Sequence, residues 1–237
     1  MTFYKLEATG NDFIVIIAEN NDSFNYKKLC NRHLGIGADG LILIDQYLNI
    51  KIYNADRSKA KMCENGLRCV CKLLSYLTNN NEHTITLENE QIQLKQISET
   101  EAFTLMPTPL MLFSNGGYFV SLLNNHYIIL TNKVDSFKFN SSHKAILEKN
   151  KCNIHAVEVI NSSTIKMKSL EYGVGETKSC GSGSIASFFL LYMLNKVDKK
   201  VKVIQQGGTL TCFVKNNKYY LQGNVNLLYK GELINEF

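Results

Sequence analysis

Tryptophan, proline and long apolar runs are scarce in this chain, and each scarcity narrows the class of protein. The 237 residues include no Trp and only two Pro, Pro107 and Pro109. No stretch approaches the roughly 20 apolar residues that a membrane-spanning helix needs, so we expect no membrane partner. Residues 1–17 carry Glu7 and Asp12 and predict a pair of strands rather than a signal peptide. We therefore expect a cytoplasmic protein.

Basic clusters are also missing, although the chain carries 26 Lys and Arg against 21 Asp and Glu, a net charge of +5. The lysines are scattered, and no basic run alternates with aromatic residues as nucleic-acid binding requires. We expect a solvated surface and no nucleic-acid partner. A chain of this length suits one large domain or two of roughly 100–120 residues each.

Metal-binding cysteine patterns are absent from a chain that nevertheless has seven Cys and five His. The number of cysteines is odd, and no C-x-x-C pair occurs. No His lies near Cys63, Cys69 and Cys71 in the sequence. Their spacing does not match a zinc site. In a reducing compartment the cysteines are expected to be free thiols, and we expect neither a metal nor another cofactor.

The two prolines lie almost at mid-chain and predict a break between two units, because Pro cannot join a central sheet ladder. Alternation and helical spacing predict similar element orders on both sides. The first half is predicted to have strands at 3–6, 13–17, 41–45, 50–53, 84–87 and 91–97, a helix ending near His33, a polar turn at 54–60 and a helix at 67–77. The second half is predicted to have strands at 118–123, 127–130, 157–160, 164–169, 201–204 and 210–214 and helices at 142–149 and 184–194.

The spacing of matching features indicates a duplication. Cys63 precedes the turn residue Asn89 by 26 positions, and Cys180 precedes Gln206 by 26 as well. We predict an α+β fold of two similar, pseudo-symmetric domains, each a mainly antiparallel sheet wrapped around a central helix. Each helix should begin one or two residues after a cysteine. The expected bounds are 1–112, completed by the C-terminal strand 228–237, and 113–227.

The two cysteine loops, Cys63-Glu64-Asn65-Gly66 and Cys180-Gly181-Ser182-Gly183, indicate proton transfer at carbon. A thiol beside a helix N-terminus has a lowered pKa, and the free N–H groups there can bind a carboxylate. Glycine in these loops allows a ligand to approach the backbone closely. Inverting a carbon centre requires removal of a proton on one face and delivery on the other, which two thiols in a cleft between the domains would perform.

Two other functional classes fit the sequence less well. A hydrolase with Cys63 as nucleophile and His126 as base leaves the second cysteine loop unexplained. A binding protein that kept the cleft has little reason to retain both thiols in open loops. The cysteines could also be small buried residues, but their matched offsets disfavour that interpretation.

Several longer motifs carry a family resemblance over nearly the whole chain. They are Thr9-Gly10-Asn11-Asp12-Phe13, Gly35-Ile36-Gly37-Ala38-Asp39-Gly40, Tyr53-Asn54-Ala55-Asp56, Met62-Cys63, Asn65-Gly66-Leu67-Arg68-Cys69, Gly175-Glu176-Thr177 and Ser179-Cys180-Gly181-Ser182-Gly183. At these residues the chain resembles the diaminopimelate epimerases. The resemblance implies the fold of that family and a cofactor-independent isomerase that inverts an amino-acid α-carbon.

The resemblance also implies residue roles. Cys63 and Cys180 match the acid–base pair, and His126 and Glu171 match residues that assist ionisation of the thiols. Asn11 and the amides of the two cysteine loops would hold the amino-acid head, and several side chains would bind the distal end of the substrate. The expected substrate-binding residues are Asn11, Asn54, Glu64, Asn65, Gly66, Asn124, Asn153, Tyr172, Gly181 and Ser182, with Glu171 also at the distal end.

Three departures from the family pattern bear on substrate choice. Tyr172 stands where the family has an arginine for the distal carboxylate, Glu64 replaces a glycine, and Asn125 replaces a proline. We expect conversion of LL- to meso-diaminopimelate, a step of lysine biosynthesis. The alternative is a racemase of another amino acid, such as histidine. Efficient turnover of diaminopimelate would mean that another residue, such as a lysine or Arg68, has taken over the arginine's role. A homodimer is left open.

Overall fold

The chain divides into two compact units in the computed structural model. The structure describes residues 1–18, 24–60, 62–114, 117–122 and 124–234. Unit 1 comprises Met1–Thr104 with Gly223–Phe237, and unit 2 comprises Leu105–Gln222. These boundaries fall before the expected ones at 112 and 227. The strand Leu110–Ser114 pairs with Gly117–Ser121 and therefore lies in unit 2.

Unit 1 combines two helices with a sheet that mixes antiparallel and parallel pairs. Its elements are β1 (Thr2–Ala8), β2 (Asn11–Ile17), α1 (Tyr26–Cys30), β3 (Gly40–Ile44), β4 (Asn49–Asn54), β5 (Lys59–Ala60), α2 (Glu64–Thr78), β6 (Glu82–Leu87), β7 (Glu90–Ser98), β8 (Glu101–Met106) and, from the C-terminus, β18 (Asn226–Glu232). Eight described strands pair in the order β18, β1, β2, β3, β4, β6, β7, β8. The pairs β2–β3 and β4–β6 are parallel and the others are antiparallel.

Unit 2 has the same plan. Its elements are β9 (Leu110–Ser114), β10 (Gly117–Ser121), β11 (Asn125–Leu130), α3 (Ser141–Asn150), β12 (Asn153–Asn161), β13 (Thr164–Glu171), β14 (Gly175–Thr177), α4 (Gly181–Met193), β15 (Lys200–Gln205), β16 (Gly208–Lys215) and β17 (Lys218–Asn224). Eight described strands pair in the order β9, β10, β11, β12, β13, β15, β16, β17. Here β11–β12 and β13–β15 are parallel.

The two sheets therefore share one succession of antiparallel and parallel pairs, and β5 and β14 occupy equivalent extra positions beside β4 and β13. This correspondence confirms the predicted fold of two similar α+β units. In unit 1, α2 packs on β1, β2, β6, β7 and β18. In unit 2, α4 packs on β10, β11, β12 and β16. Every residue of α4 from Gly181 to Leu191 is buried, as befits a central helix.

Several element bounds differ from the sequence-based expectations. Both central helices begin three residues earlier than predicted, because the cysteines themselves are the N-caps. The first helix ends at Cys30 rather than near His33, since the Asn31 side chain accepts the backbone N–H groups of His33 and Leu34. The strands β5, β8, β9, β14 and β17 were not predicted, whereas β18 overlaps the expected C-terminal strand at 228–237 and begins two residues earlier. Leu123 and residues 235–237 of the expected strands lie outside the described residues.

Among the described residues, no helix is long and apolar enough to cross a membrane.

Candidate active site

Cys63 is the N-cap of α2 and has extended backbone angles, φ −148° and ψ 101°. Its Sγ accepts the backbone N–H of Gly66 at 3.5 Å. A sulfur in this position lies at the positive end of the helix dipole, where negative charge is stabilised. Gly66 packs closely within unit 1, since a Cβ there would lie 3.0 Å from Ile42 Cδ1 and that side chain would have to shift slightly.

Asn11 connects the Cys63 thiol to the rest of unit 1. Its Oδ1 lies 4.0 Å from Cys63 Sγ and 3.4 Å from Asn65 Nδ2. Its Nδ2 donates to Asp39 Oδ2 at 2.8 Å. Since an amide can present either its oxygen or its nitrogen, the Asp39 carboxylate fixes the orientation in which oxygen faces the thiol.

An ionic cluster holds Asp39 in place. Arg32 donates to both oxygens of Asp12, at 2.7 and 2.9 Å, and to Asp39 at 2.8 Å. The Lys5 ammonium lies 2.7 Å from Asp12. Burial alone would raise the pKa of Asp12, but the hydrogen bonds from Arg32 and Lys5 outweigh it and hold that pKa well below its usual range. The same pairing raises the pKa of Arg32.

Arg68 lies on α2 and is fully buried. Its guanidinium donates to Thr9 Oγ1 at 2.9 Å, to Asn65 Oδ1 at 2.5 Å and to the Glu64 carbonyl at 3.4 Å. Burial lowers the pKa of this group. Arg68 therefore orients the first turn of α2 from inside unit 1. Because it is buried and occupied in this way, it is not an accessible cation that could replace the family's arginine.

Two other predicted residues of unit 1 have their own settings. Glu64 is buried at 4% exposure, so its side chain does not project into solvent beside Cys63. Asn54 is exposed at the end of β4 and donates to Ser58 Oγ at 2.8 Å within a turn. The structure thus brings Cys63, Asn11 and Asn65 together, whereas the side-chain hydrogen bond of Asn54 belongs to that turn.

Cys180 is the N-cap of α4, with φ −131° and ψ 110°. Its Sγ lies 3.4 Å from Glu171 Oε2 and 3.6 Å from Ser182 Oγ. Burial raises the pKa of Glu171, although hydrogen bonds from Thr177 and Cys180 act in the opposite direction. A carboxylate with a raised pKa in contact with a thiol is suited to accept and return its proton.

Gln205 fixes the backbone of this second cysteine loop. Its Oε1 accepts the Cys180 N–H at 2.8 Å and its Nε2 donates to Ser184 Oγ at 3.0 Å. The Ser184 hydroxyl in turn donates to the Cys180 carbonyl at 2.8 Å. Sequence analysis missed Gln205, but its signal was present: a polar residue at a buried position in the alternation of β15.

Two of the predicted distal residues of unit 2 are hydrogen-bonded to each other. Asn153 is buried, and its Oδ1 accepts the Tyr172 N–H at 3.0 Å. The Tyr172 side chain is 41% exposed. Since Tyr172 directly follows Glu171, this bond ties Asn153 to the strand end that carries the Cys180 partner. The carbonyl of Asn124 accepts the N–H of Leu122 at 3.0 Å.

His126 is buried on β11 beside Asn153 of β12. Its Nδ1 lies 2.9 Å from His155 Nε2, and His155 Nδ1 lies 2.9 Å from Ser169 Oγ. Burial lowers the pKa of His126 to about 3. Sequence analysis did not single out His155 or Ser169. Gly183 is a glycine because of this cluster, since a Cβ there would lie 2.3 Å from His155 Cε1.

Within the described part of the chain, no group of three or more His, Cys, Asp or Glu side chains is arranged to hold a metal ion.

Comparison with known proteins places these features in a family. The family model described as Diaminopimelate epimerase matches residues 3–110 and 119–228. A diaminopimelate epimerase of Prochlorococcus marinus is 32% identical, over 98% of each chain. That of Methanocaldococcus jannaschii is 28% identical, over 99% of each chain.

Solved structures share the fold at low sequence identity. A predicted epimerase from Pseudomonas aeruginosa superposes with a TM-score of 0.80 at 12% identity, over 99% of both chains. A hydroxyproline epimerase from Agrobacterium vitis does so with a TM-score of 0.68 at 9% identity, over 98% of this chain and 90% of that one. The duplicated fold and the family match define an isomerase of the racemase and epimerase class. The chain belongs to the diaminopimelate epimerase family.

Proposed function

We propose that this isomerase inverts the α-carbon of an amino acid with two thiols and no pyridoxal phosphate, and that its substrate is LL-diaminopimelate. The observation that carries the proposal is the equivalent position of Cys63 and Cys180, each the N-cap of the central helix of its unit. The product would be meso-diaminopimelate, an intermediate of lysine biosynthesis, formed in the cytoplasm.

In this mechanism one cysteine removes the α-proton as a thiolate and the other delivers a proton as a thiol. The roles exchange in the reverse direction. The contact of Glu171 with Cys180 supports a proton exchange that readies this thiol for either role. In unit 1, the amide oxygen of Asn11 lies near Cys63 Sγ and can accept a hydrogen bond from the thiol form, which would orient the thiol without taking up its proton.

The helix N-termini would supply the second requirement, stabilisation of charge on the substrate carboxylate. The first-turn N–H groups of Glu64, Asn65, Gly181 and Ser182 are suited to bind it, whereas the Gly66 N–H donates to Cys63 Sγ. Charge that develops as the α-proton leaves would then be held by fixed dipoles, so an electron-sink cofactor is not needed. The side chains Asn54, Asn124, Asn153, Glu171 and Tyr172 would contact the distal end.

The names of relatives at about 30% identity favour diaminopimelate as the substrate. One observation favours the alternative of a racemase for an amino acid with an uncharged or aromatic side chain, such as histidine. By the family resemblance Tyr172 stands where relatives have an arginine; Tyr172 is 41% exposed, and Arg68 is buried elsewhere. A neutral phenol offers no charge-assisted pair to a second carboxylate.

Proton exchange with solvent tests both proposals. The protein is incubated in D2O with LL-diaminopimelate, L-histidine or other single L-amino acids, and deuterium at Cα is measured by mass spectrometry. Exchange with formation of the other epimer is expected, and the preferred amino acid identifies the substrate. The Cys63→Ala/Cys180→Ala double variant is the matched control. A protein that binds these amino acids without exchange, or that hydrolyses an ester or amide instead, would contradict the proposal.

A further inference from the structure

The buried chain Ser169–His155–His126 in unit 2 has a direction that can be derived by counting donors and acceptors. A neutral imidazole has one N–H donor and one acceptor nitrogen. Both rings are neutral near pH 7, since burial lowers the pKa of His126 to about 3 and, together with repulsion from His126, that of His155. In each of the two contacts, which are 2.9 Å long, one atom must therefore donate a proton and the other must accept it.

Ser169 determines which way these protons point. Its side chain is buried, and among the described residues His155 Nδ1 is the only group to which its hydroxyl is hydrogen-bonded. A buried hydroxyl that donates to nothing loses about 1–3 kcal/mol. The reverse direction would leave both the Ser169 O–H and an acceptor at His126 Nε2 without a partner, whereas this direction leaves only the His126 Nε2–H, so the Ser169 O–H donates to His155 Nδ1. His155 then carries its proton on Nε2 and donates it to His126 Nδ1.

This assignment leaves the proton of His126 on Nε2. That atom is buried and has no hydrogen-bond partner among the described residues. We propose that Ser169 and His155 are positioning residues that hold His126 as the Nε2–H tautomer, so that its ring offers a hydrogen-bond donor, not a base, to an acceptor atom of the bound substrate. The tautomer follows from the buried chain alone, and only the ligand's identity rests on the proposed function.

The packing around His155 keeps the chain rigid. The two rings lie 5.1 Å apart with their planes tilted by 31°. The first turn of α4 lies directly on the His155 ring, where a Cβ at Gly183 would come within 2.3 Å of Cε1. Rotation of His155 to exchange its nitrogens would require that helix to shift. The His155 ring therefore supports both the N-terminus of α4, which carries Cys180, and the tautomer of His126.

Nitrogen NMR of protein labelled with ¹⁵N-histidine tests the inference directly. In the wild type, long-range ¹H–¹⁵N spectra should show a protonated Nε2 and an unprotonated Nδ1 for both rings, with assignment by the His126→Phe variant. A proton on Nδ1 of His126 would overturn the proposal. This measurement needs neither substrate nor turnover. If the tautomer is as expected but no amino acid exchanges its α-proton, the inference stands and the proposed function fails.

Substitution of Ser169 provides the second measurement. Ser169→Ala removes the terminal donor and should populate both tautomers of His126, whereas Ser169→Thr keeps the hydroxyl and should preserve one. We expect kcat/KM to fall about three- to tenfold in the Ala variant and to stay within about twofold in the Thr variant. If folded Ser169→Ala keeps the same His126 tautomer in the nitrogen spectra, the positioning role is overturned. A serine with a purely structural role would leave those spectra unchanged.

Discussion

The Cys180 thiol lies 3.4 Å from the Glu171 carboxylate, Sγ to Oε2, and the other carboxylate oxygen accepts the hydroxyl of Thr177. Burial raises the pKa of Glu171, which makes this carboxylate a better proton acceptor than an exposed glutamate. A thiol with such a neighbour can lose its proton without releasing it to solvent. The pair therefore has the parts of a general acid–base unit.

Glu171→Gln should retain the fold and lower the rate of α-proton exchange by about 10²-fold or more, because the amide cannot take up the thiol proton. The measurement is kcat for exchange in D2O. Glu176→Gln is the matched control, since Glu176 is exposed on the neighbouring strand β14. Equal rates of α-proton exchange in the two variants would show that Glu171 has no part in the proton transfer.

The same substitution should change how stability depends on pH. A carboxyl whose pKa is raised in the folded state stabilises fully below its unfolded value, near 4.5, and loses that contribution as pH rises through the folded value. The glutamine of Glu171→Gln does not ionise, so this variant does not lose that stability as pH rises. Its free energy of unfolding relative to the wild type should therefore improve as pH rises above 4.5. Urea titrations at several pH values measure it, and a difference that is constant with pH would contradict the shift.

Loss of either thiol should abolish exchange, because one face of the α-carbon then has no proton donor or acceptor. Cys63→Ala and Cys180→Ala should each cost about 10²–10⁴-fold in rate. Cys71→Ala is the matched control: Cys71 is buried on α2, and burial raises its thiol pKa to about 12, so it should affect stability only. A single variant that kept more than about a tenth of the wild-type rate would rule out the two-thiol mechanism.

Asp39 is expected to act through Asn11. Asp39→Ala removes the acceptor that holds the Asn11 amide with its oxygen toward Cys63, so the amide can rotate. We expect kcat/KM to fall about three- to tenfold from loss of the Asn11 hydrogen bond. The bonds of Asp39 with Arg32 and with the Asp12 N–H are lost as well and should affect stability. Asp135→Ala, which breaks a surface ion pair with Lys166, should leave kcat/KM unchanged. Similar losses in both variants would indicate a general effect of charge.

The sequence was sufficient to locate both cysteines at helix starts, because apolar spacing marks a helix and the loops before it are polar. The duplicated pattern also predicted two similar units. It did not predict the parallel pairs, such as β2–β3 and β4–β6, because alternation along a strand does not specify its neighbour. Partners distant in the chain, such as Asn11 and Asp39, were recognisable only as parts of motifs.

The role of His155 could not be predicted for a related reason. Its strand was expected to begin at 157, whereas β12 begins at Asn153 and all of its first five residues are buried. Polar residues at 153 and 155 interrupt the apolar run that indicates a buried strand. Both are polar because each makes a specific buried hydrogen bond, Asn153 to the Tyr172 backbone and His155 to its two partners.

Tyr172 provides the last prediction, on substrate choice. Tyr172→Arg should restore a charge-assisted pair with a distal carboxylate, since the side chain is accessible while its backbone N–H stays bonded to Asn153. We expect the ratio of kcat/KM for LL-diaminopimelate to that for L-histidine to rise about 10-fold or more, equivalent to about 1.5–3 kcal/mol.

Tyr47→Arg is the control for added charge, because Tyr47 is an exposed tyrosine in a turn of the other unit and should leave the ratio unchanged. A wild-type kcat/KM for diaminopimelate of about 10⁴ M⁻¹s⁻¹ or more would contradict the hypothesis that the missing arginine alters specificity. Since Arg68 is buried against Thr9 and Asn65, the second carboxylate would then have to be bound by a lysine or by backbone N–H groups.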